Sequence, residues 1–425
     1  MASGYGFPRA ALAAPETLIL VHVVAIGWLS LLMCGALFQF VPVLVARPLY
    51  SDGLPLPTLL LLVAGLAALI LGFMQLTGRI DPALPFFTLA GILLGAGFAL
   101  ALWNLARTFL AAQTLPTPAR FVSAGLVSIT ATATLGIIFV LVLGGTTDYG
   151  PFVALIGAGL PLHVIAGLGG WLTFTAIGVS YRLLAMFMMA PELSGNSTKA
   201  ALHLGTAALT ISVVGGVFAI LVRESSLEVV LLVAAAIGLA ALVLYGTDIL
   251  HLYRARKRPH IELNSRMAAL ALGSLAAAAV LIVSLLVIGK LADHVGPLVF
   301  LIAFGWLSGL GLAQLYKIVA FLTWLECYGP VLGKAQTPRV QDLVVEARAT
   351  KWFHLYFVAV WVATLALIVN HPLGFQVSAA AMLIATGGIV AQLVRTRRLA
   401  DVKVALRLPQ GAHRPRLLSS LSHQS

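Results

Sequence analysis

The chain has 425 residues, of which 60% are hydrophobic and only 9% charged, with a formal charge of +12 and a mean hydropathy of +1.03. A soluble domain covers its surface with about 25% charged residues, so this composition excludes a soluble globular protein and points to one that faces lipid. The excess of positive charge does not mark a nucleic-acid binder: it sits at the ends of apolar segments, where it sets topology and meets anionic headgroups.

In chain order, the apolar segments fall at about 17–45, 56–77, 84–106, 121–144, 161–189, 199–221, 226–250, 267–289, 296–325, 352–369 and 374–394. Each reaches or approaches the roughly 20 residues that cross a hydrocarbon core, and only helices satisfy their own backbone there. The pattern predicts an all-α polytopic membrane protein of about eleven transmembrane helices, spans 1 to 11, in a single membrane domain over 1–425 with a basic tail from 395 to 425. The stretch 145–160 reads as a loop or a short surface helix. Met1 to Glu16 lacks a basic leader, and the first span is too long for a cleavable signal.

Lys and Arg are retained on the cytoplasmic side of membranes. The loops after spans 1, 3, 5, 7 and 9, with the tail, carry 22 of the 26 basic residues; the other side has only Arg9, Arg79, Arg223 and Lys290. This predicts a multi-pass protein of a bacterial-type inner membrane with its N-terminus outside and its C-terminus in the cytoplasm. A reporter fused after Ser425 is expected to read cytoplasm, and one fused within 146–150 to read outside. Matching signals from both would overturn the count of spans. Cys34 and Cys327 fall toward the cytoplasmic side, so no structural disulfide is expected.

Three segments align without gaps: HVVAIGWLSLLMCGALFQFVPVL from His22, HVIAGLGGWLTFTAIGVSYRLLAMF from His163, and VFLIAFGWLSGLGLAQLYKIVAFL from Val299. Each holds Gly-Trp, ending in Trp28, Trp171 and Trp306, and ten residues later an aromatic followed by a polar residue: Phe38-Gln39, Tyr181-Arg182, Tyr316-Lys317. The tryptophans stand 143 and 135 residues apart. The chain thus divides into pseudo-repeated arcs of four, four and three spans, about 17–144, 161–289 and 296–394, which predicts a ring of three arcs. Arg182 and Lys317 read as snorkelling cations, and Asp248 and Glu326 as acids that cap helices or pair with basic loops.

This repeat resembles the catalytic subunit of the haem-copper oxidases, closest to the C-type oxidases and nitric oxide reductases, and the smaller haem- and copper-containing membrane proteins of nitrosative stress. The likeness rests on span 1, with His22, Gly27, Trp28, Gly35, Phe38 and Pro42, and elsewhere on the number and direction of spans. It implies haem, electron transport with a quinol or cytochrome c as donor, and partner subunits. The departures are specific. Those oxidases hold copper with an adjacent His pair and two haems from a His-x-His, whereas this chain contains neither arrangement and has Leu298 and Phe300 at the corresponding positions. The copper ligand set is therefore absent and a complete oxygen-reducing centre is not expected, although His294 and His371 at the outer loops are weaker metal candidates.

Histidines within spans are costly in lipid and are functional candidates. His22 and His163 lie near the outer ends of spans 1 and 5; His203, His251 and His354 lie at cytoplasmic ends. His22 precedes its repeat aromatic by 16 residues and His163 by 18, and two residues of α-helix rotate a side chain by about 200°. In a three-arc ring, opposite faces of equivalent helices look into neighbouring pores, so the two can face one shared pore and fill both axial positions of a low-spin haem b. The expectation is an integral membrane haem b protein that transfers electrons or handles a small redox ligand such as nitric oxide near the outer face. Two alternatives stay open: a cofactor-free transporter or permease, and a non-catalytic scaffold subunit that has lost its metals.

Overall fold

The computed structural model describes residues 1–81, 84–222, 226–409, 412 and 415. Arg223, one of the four basic residues expected on the outer side, and most of the tail after 409 lie outside the described residues. No strand occurs among the described residues, and eleven helices are long and apolar enough to cross a membrane. They are Pro15–Val45, Pro55–Leu76, Phe86–Leu110, Thr117–Leu143, Leu160–Met188, Asn196–Leu221, Leu227–Arg254, Leu263–Val287, Ala292–Val331, Glu346–Ile368 and Pro372–Arg397. The chain is a multi-pass membrane protein.

Several helices run past the apolar stretch at the end where basic residues collect. Span 7 continues to Arg254, span 8 begins at Leu263, and span 10 begins at Glu346. Hydropathy reports the hydrocarbon, while the helix itself continues into the headgroups because Arg, Lys and Glu are good helix formers. The stretch 145–160 contains a nine-residue helix, Gly150–Ala158, started by Pro151.

The chain forms two compact units, one of Tyr5–Pro259 and one of Met1–Gly4 with His260–Ser425. The division falls between spans 7 and 8.

In the seven-span unit, span 5 is the most enclosed helix, with 56% of its most apolar stretch buried against 11% for span 7. It packs on span 4 through residues too small to hold the helices apart: a Cβ on Gly170 would strike Ser128, one on Gly125 would strike Thr175, and one on Gly178 would stand 2.6 Å from Phe121. Lipid tails are as apolar as Leu, so helices associate here through close van der Waals contact and interhelical hydrogen bonds. One such bond, from Trp171 Nε1 to Ser30 Oγ at 3.0 Å, ties span 5 to span 1.

In the four-span unit, span 9 is the enclosed helix, with 72% of its stretch buried. Gly305 approaches Ser274 of span 8, a Cβ there standing 2.8 Å from the Ser274 Cβ, and Trp361 donates to Ser274 Oγ at 3.0 Å. Beyond span 11, Asp401 accepts from Arg395 at 2.6 Å and from Arg348 at 3.1 Å. Burial alone would raise its carboxyl, but the two guanidiniums win and hold it below the ordinary carboxylate range.

The three Gly-Trp segments share a backbone feature. Each lies in a π-helical stretch, Val23–Ser30, Ile165–Phe174 and Leu301–Ser308. A shift from i→i+4 to i→i+5 bonding widens the turn and strands carbonyls, and such stretches recur at functional sites. In span 9 the hydroxyl of Tyr356 donates to the Phe304 carbonyl at 2.8 Å, and Ser308 Oγ donates to the Ala303 carbonyl at 2.8 Å.

Candidate cofactor site

The site is built on the first turns of spans 1 and 5, both within the seven-span unit. His22 closes the opening α-helical stretch Pro15–His22, immediately before the first π-helical segment. Its Nδ1 lies 2.8 Å from the Leu18 carbonyl, one turn back, so it is the protonated nitrogen and Nε2 keeps its lone pair. The ring lies against Phe73 of span 2, with centroids 5.2 Å apart.

His163 stands two residues before the second π-helical segment, in the short stretch Leu160–Val164. A Cβ on Gly136 of span 4 would stand 3.2 Å from its Cε1 and 3.8 Å from its Nδ1, so this edge of the ring is turned to span 4. The Thr132 carbonyl faces the same ring, but Nδ1 makes no well-formed hydrogen bond although it is buried. Phe139 packs on the ring at 5.5 Å. The two π-helical segments that follow these histidines touch, so the histidines stand on neighbouring helices of one unit.

The remaining histidines have other surroundings. His371 caps the N-terminus of span 11, its Nδ1 accepting from the Gly374 N–H at 3.0 Å. His294 pairs with the Lys290 carbonyl at 3.0 Å. Both belong to the four-span unit. His203, His251 and His354 are exposed on spans 6, 7 and 10. Among the described residues no three His, Cys, Asp or Glu side chains gather to hold a metal ion. An axial pair supplies only two protein ligands, so a haem does not require such a group. Cys34 and Cys327 are buried free thiols on spans 1 and 9.

Two expectations are revised. Arg182 and Lys317 do not simply snorkel: Arg182 pairs with Glu192, and Lys317 with Glu262 at 2.6 Å. Glu326 pairs with Arg397 at 2.7 Å as expected. Among the described residues Asp248 pairs with no basic loop. Its Oδ2 accepts from Tyr181 at 2.8 Å and from Thr198 at 2.9 Å, beside a Ser180–Tyr245 bond of 2.7 Å, joining spans 5, 6 and 7. Tyr181 is a repeat aromatic and Asp248 an acid within a span, but only the packing of three helices makes them partners.

The chain was compared with protein-family models and with curated proteins, and it matches none of them.

Proposed function

We propose that the chain is an integral membrane haem b protein of oxidase-like plan, with His22 and His163 as the two axial ligands, acting in electron transfer or in handling a small redox ligand such as nitric oxide. The observation that carries this reading is that both histidines lie just ahead of π-helical segments that touch, within one unit. Their ring chemistry fits the group. A ligating His generally gives its other ring N–H to a backbone carbonyl, and His22 has the Leu18 carbonyl in that place. On His163, whose Cε1 and Nδ1 lie toward Gly136 of span 4, Nε2 would be the ligating nitrogen. The haem would supply a one-electron couple at iron.

Phe73 and Phe139 pack on the two rings, and the Leu18 carbonyl fixes one tautomer of His22. Copper is not assigned, because the adjacent His pair is missing. The proposed setting is a bacterial-type inner membrane with the histidine end outside, a quinol or cytochrome c as donor, and partner subunits.

The test is an optical spectrum with metal analysis of the purified full-length protein. A Soret band with about one iron per chain is expected, with no quinol- or cytochrome-driven oxygen reduction. A colourless, iron-free protein would remove the haem reading in favour of a transporter or scaffold. Sustained oxygen turnover would refute the reading of the missing copper ligands.

A further inference from the structure

Spans 4 and 6 leave an open, shallow groove of about 580 Å³ on the surface of the unit. Its wall is apolar, made by Ala124 of span 4 and by Leu202, Ala207 and Ile211 of span 6. Thr206 and Thr210 also line it, but the Thr210 hydroxyl donates to the Thr206 carbonyl at 2.9 Å and so turns back into its own helix. Arg120 and His203 stand at one end, both exposed. From His203 to Ile211 the helix rises about 12 Å, close to the roughly 15 Å of one leaflet's hydrocarbon.

The exposed side chains at this end are basic, and the acid nearest the start of span 6, Asp248, is buried and turned to Tyr181 and Thr198. Both helices start there, and neither has an acidic residue in its first turn to oppose the positive end of the helix dipole. Lys199, exposed, precedes His203 by one turn on the same face of span 6. Among the described residues Arg120 makes one side-chain hydrogen bond, from Nε to the Leu115 carbonyl at 3.1 Å, and neither Arg120 nor Lys199 pairs with a carboxylate.

We infer that this groove binds one phospholipid with an anionic phosphodiester headgroup, drawn from the leaflet at the basic end of the spans. The headgroup lies between Arg120, Lys199 and His203, at the starts of two helices that favour an anion. One acyl chain fills the groove along Ala124, Ala207 and Ile211. A free phosphate would leave the apolar wall uncovered, which is why the ligand is a lipid. This inference is independent of the haem.

The test is native mass spectrometry of the delipidated full-length protein, titrated with phosphatidylglycerol and with phosphatidylcholine of identical chains. Phosphatidylglycerol is expected to be retained about tenfold better, the scale set by a few basic residues near a headgroup. The double variant Arg120→Gln, Lys199→Gln should bind the two lipids equally. Ala207→Phe fills the tail groove without touching the charges, should lower retention of both lipids, and decides the matter alone if the double variant does not fold. Equal retention by the unaltered protein would overturn the inference. So would displacement of the lipid by glycerol phosphate, or a lipid-free dimer joined through this face.

Discussion

Replacing either His22 or His163 with Ala is expected to abolish the six-coordinate low-spin spectrum of the purified protein, while His203→Ala and His251→Ala leave it intact. The contrast rests on position. His22 and His163 open spans 1 and 5, whereas His251 lies in the last turn of span 7 and His203 two turns into span 6, toward the opposite ends. Roughly 10 to 20 residues of helix separate such positions, about 15–30 Å, so no single haem could take ligands from both groups. A supporting arm uses Gly136, where a side chain would press on the His163 ring; Gly136→Leu is expected to displace it and weaken the low-spin signal. A red protein whose spectrum survives both His22→Ala and His163→Ala would sink the shared site and shift attention to His294 and His371.

Gly170→Leu is expected to cost most of the monodisperse protein in a size-exclusion profile, with a stability loss of at least ~1–3 kcal/mol, the usual penalty for overpacking a fitted interface. A Cβ at this position already collides with Ser128, so span 5 would have to move off span 4. The neighbouring Trp171–Ser30 bond, which joins spans 5 and 1, would open with it. Gly246→Ala on span 7 is the comparison, because a Cβ there would meet nothing within 4 Å and Ala is the better helix former. Equal behaviour of the two variants would show that the Gly-Trp glycine is not a packing requirement.

The Asp248 network illustrates how charge is tolerated at this depth. A carboxylate within a span is costly unless paired, and here two hydroxyl donors from different helices take that role. The same polar residues, read singly, carry no such message. Tyr181 is one aromatic in a repeat, and Thr198 one hydroxyl near a helix start.

The sequence by itself determined the class of protein, the number of spans and the places where they begin and end to within about two turns. The physical reason is that lipid admits only self-satisfied helices, so a run of apolar residues leaves one solution. It also marked the three Gly-Trp segments and set His22 and His163 apart from the other histidines, since offsets along a helix translate into direction. What it did not hold was the π-helical backbone over each Gly-Trp pair, because i→i+5 bonding has no compositional mark and depends on partners such as the Tyr356 hydroxyl that satisfy the displaced carbonyl. Nor did it hold the walls of the histidine site: Gly136, Phe73 and Phe139 are ordinary residues of Leu-rich spans until helix packing turns them toward the rings. The division between spans 7 and 8, and the choice of hydroxyls over a basic loop as partners for Asp248, were likewise decided by tertiary structure. Both follow from which helices touch, and in a chain where every span is apolar on all sides, hydropathy is silent about neighbours.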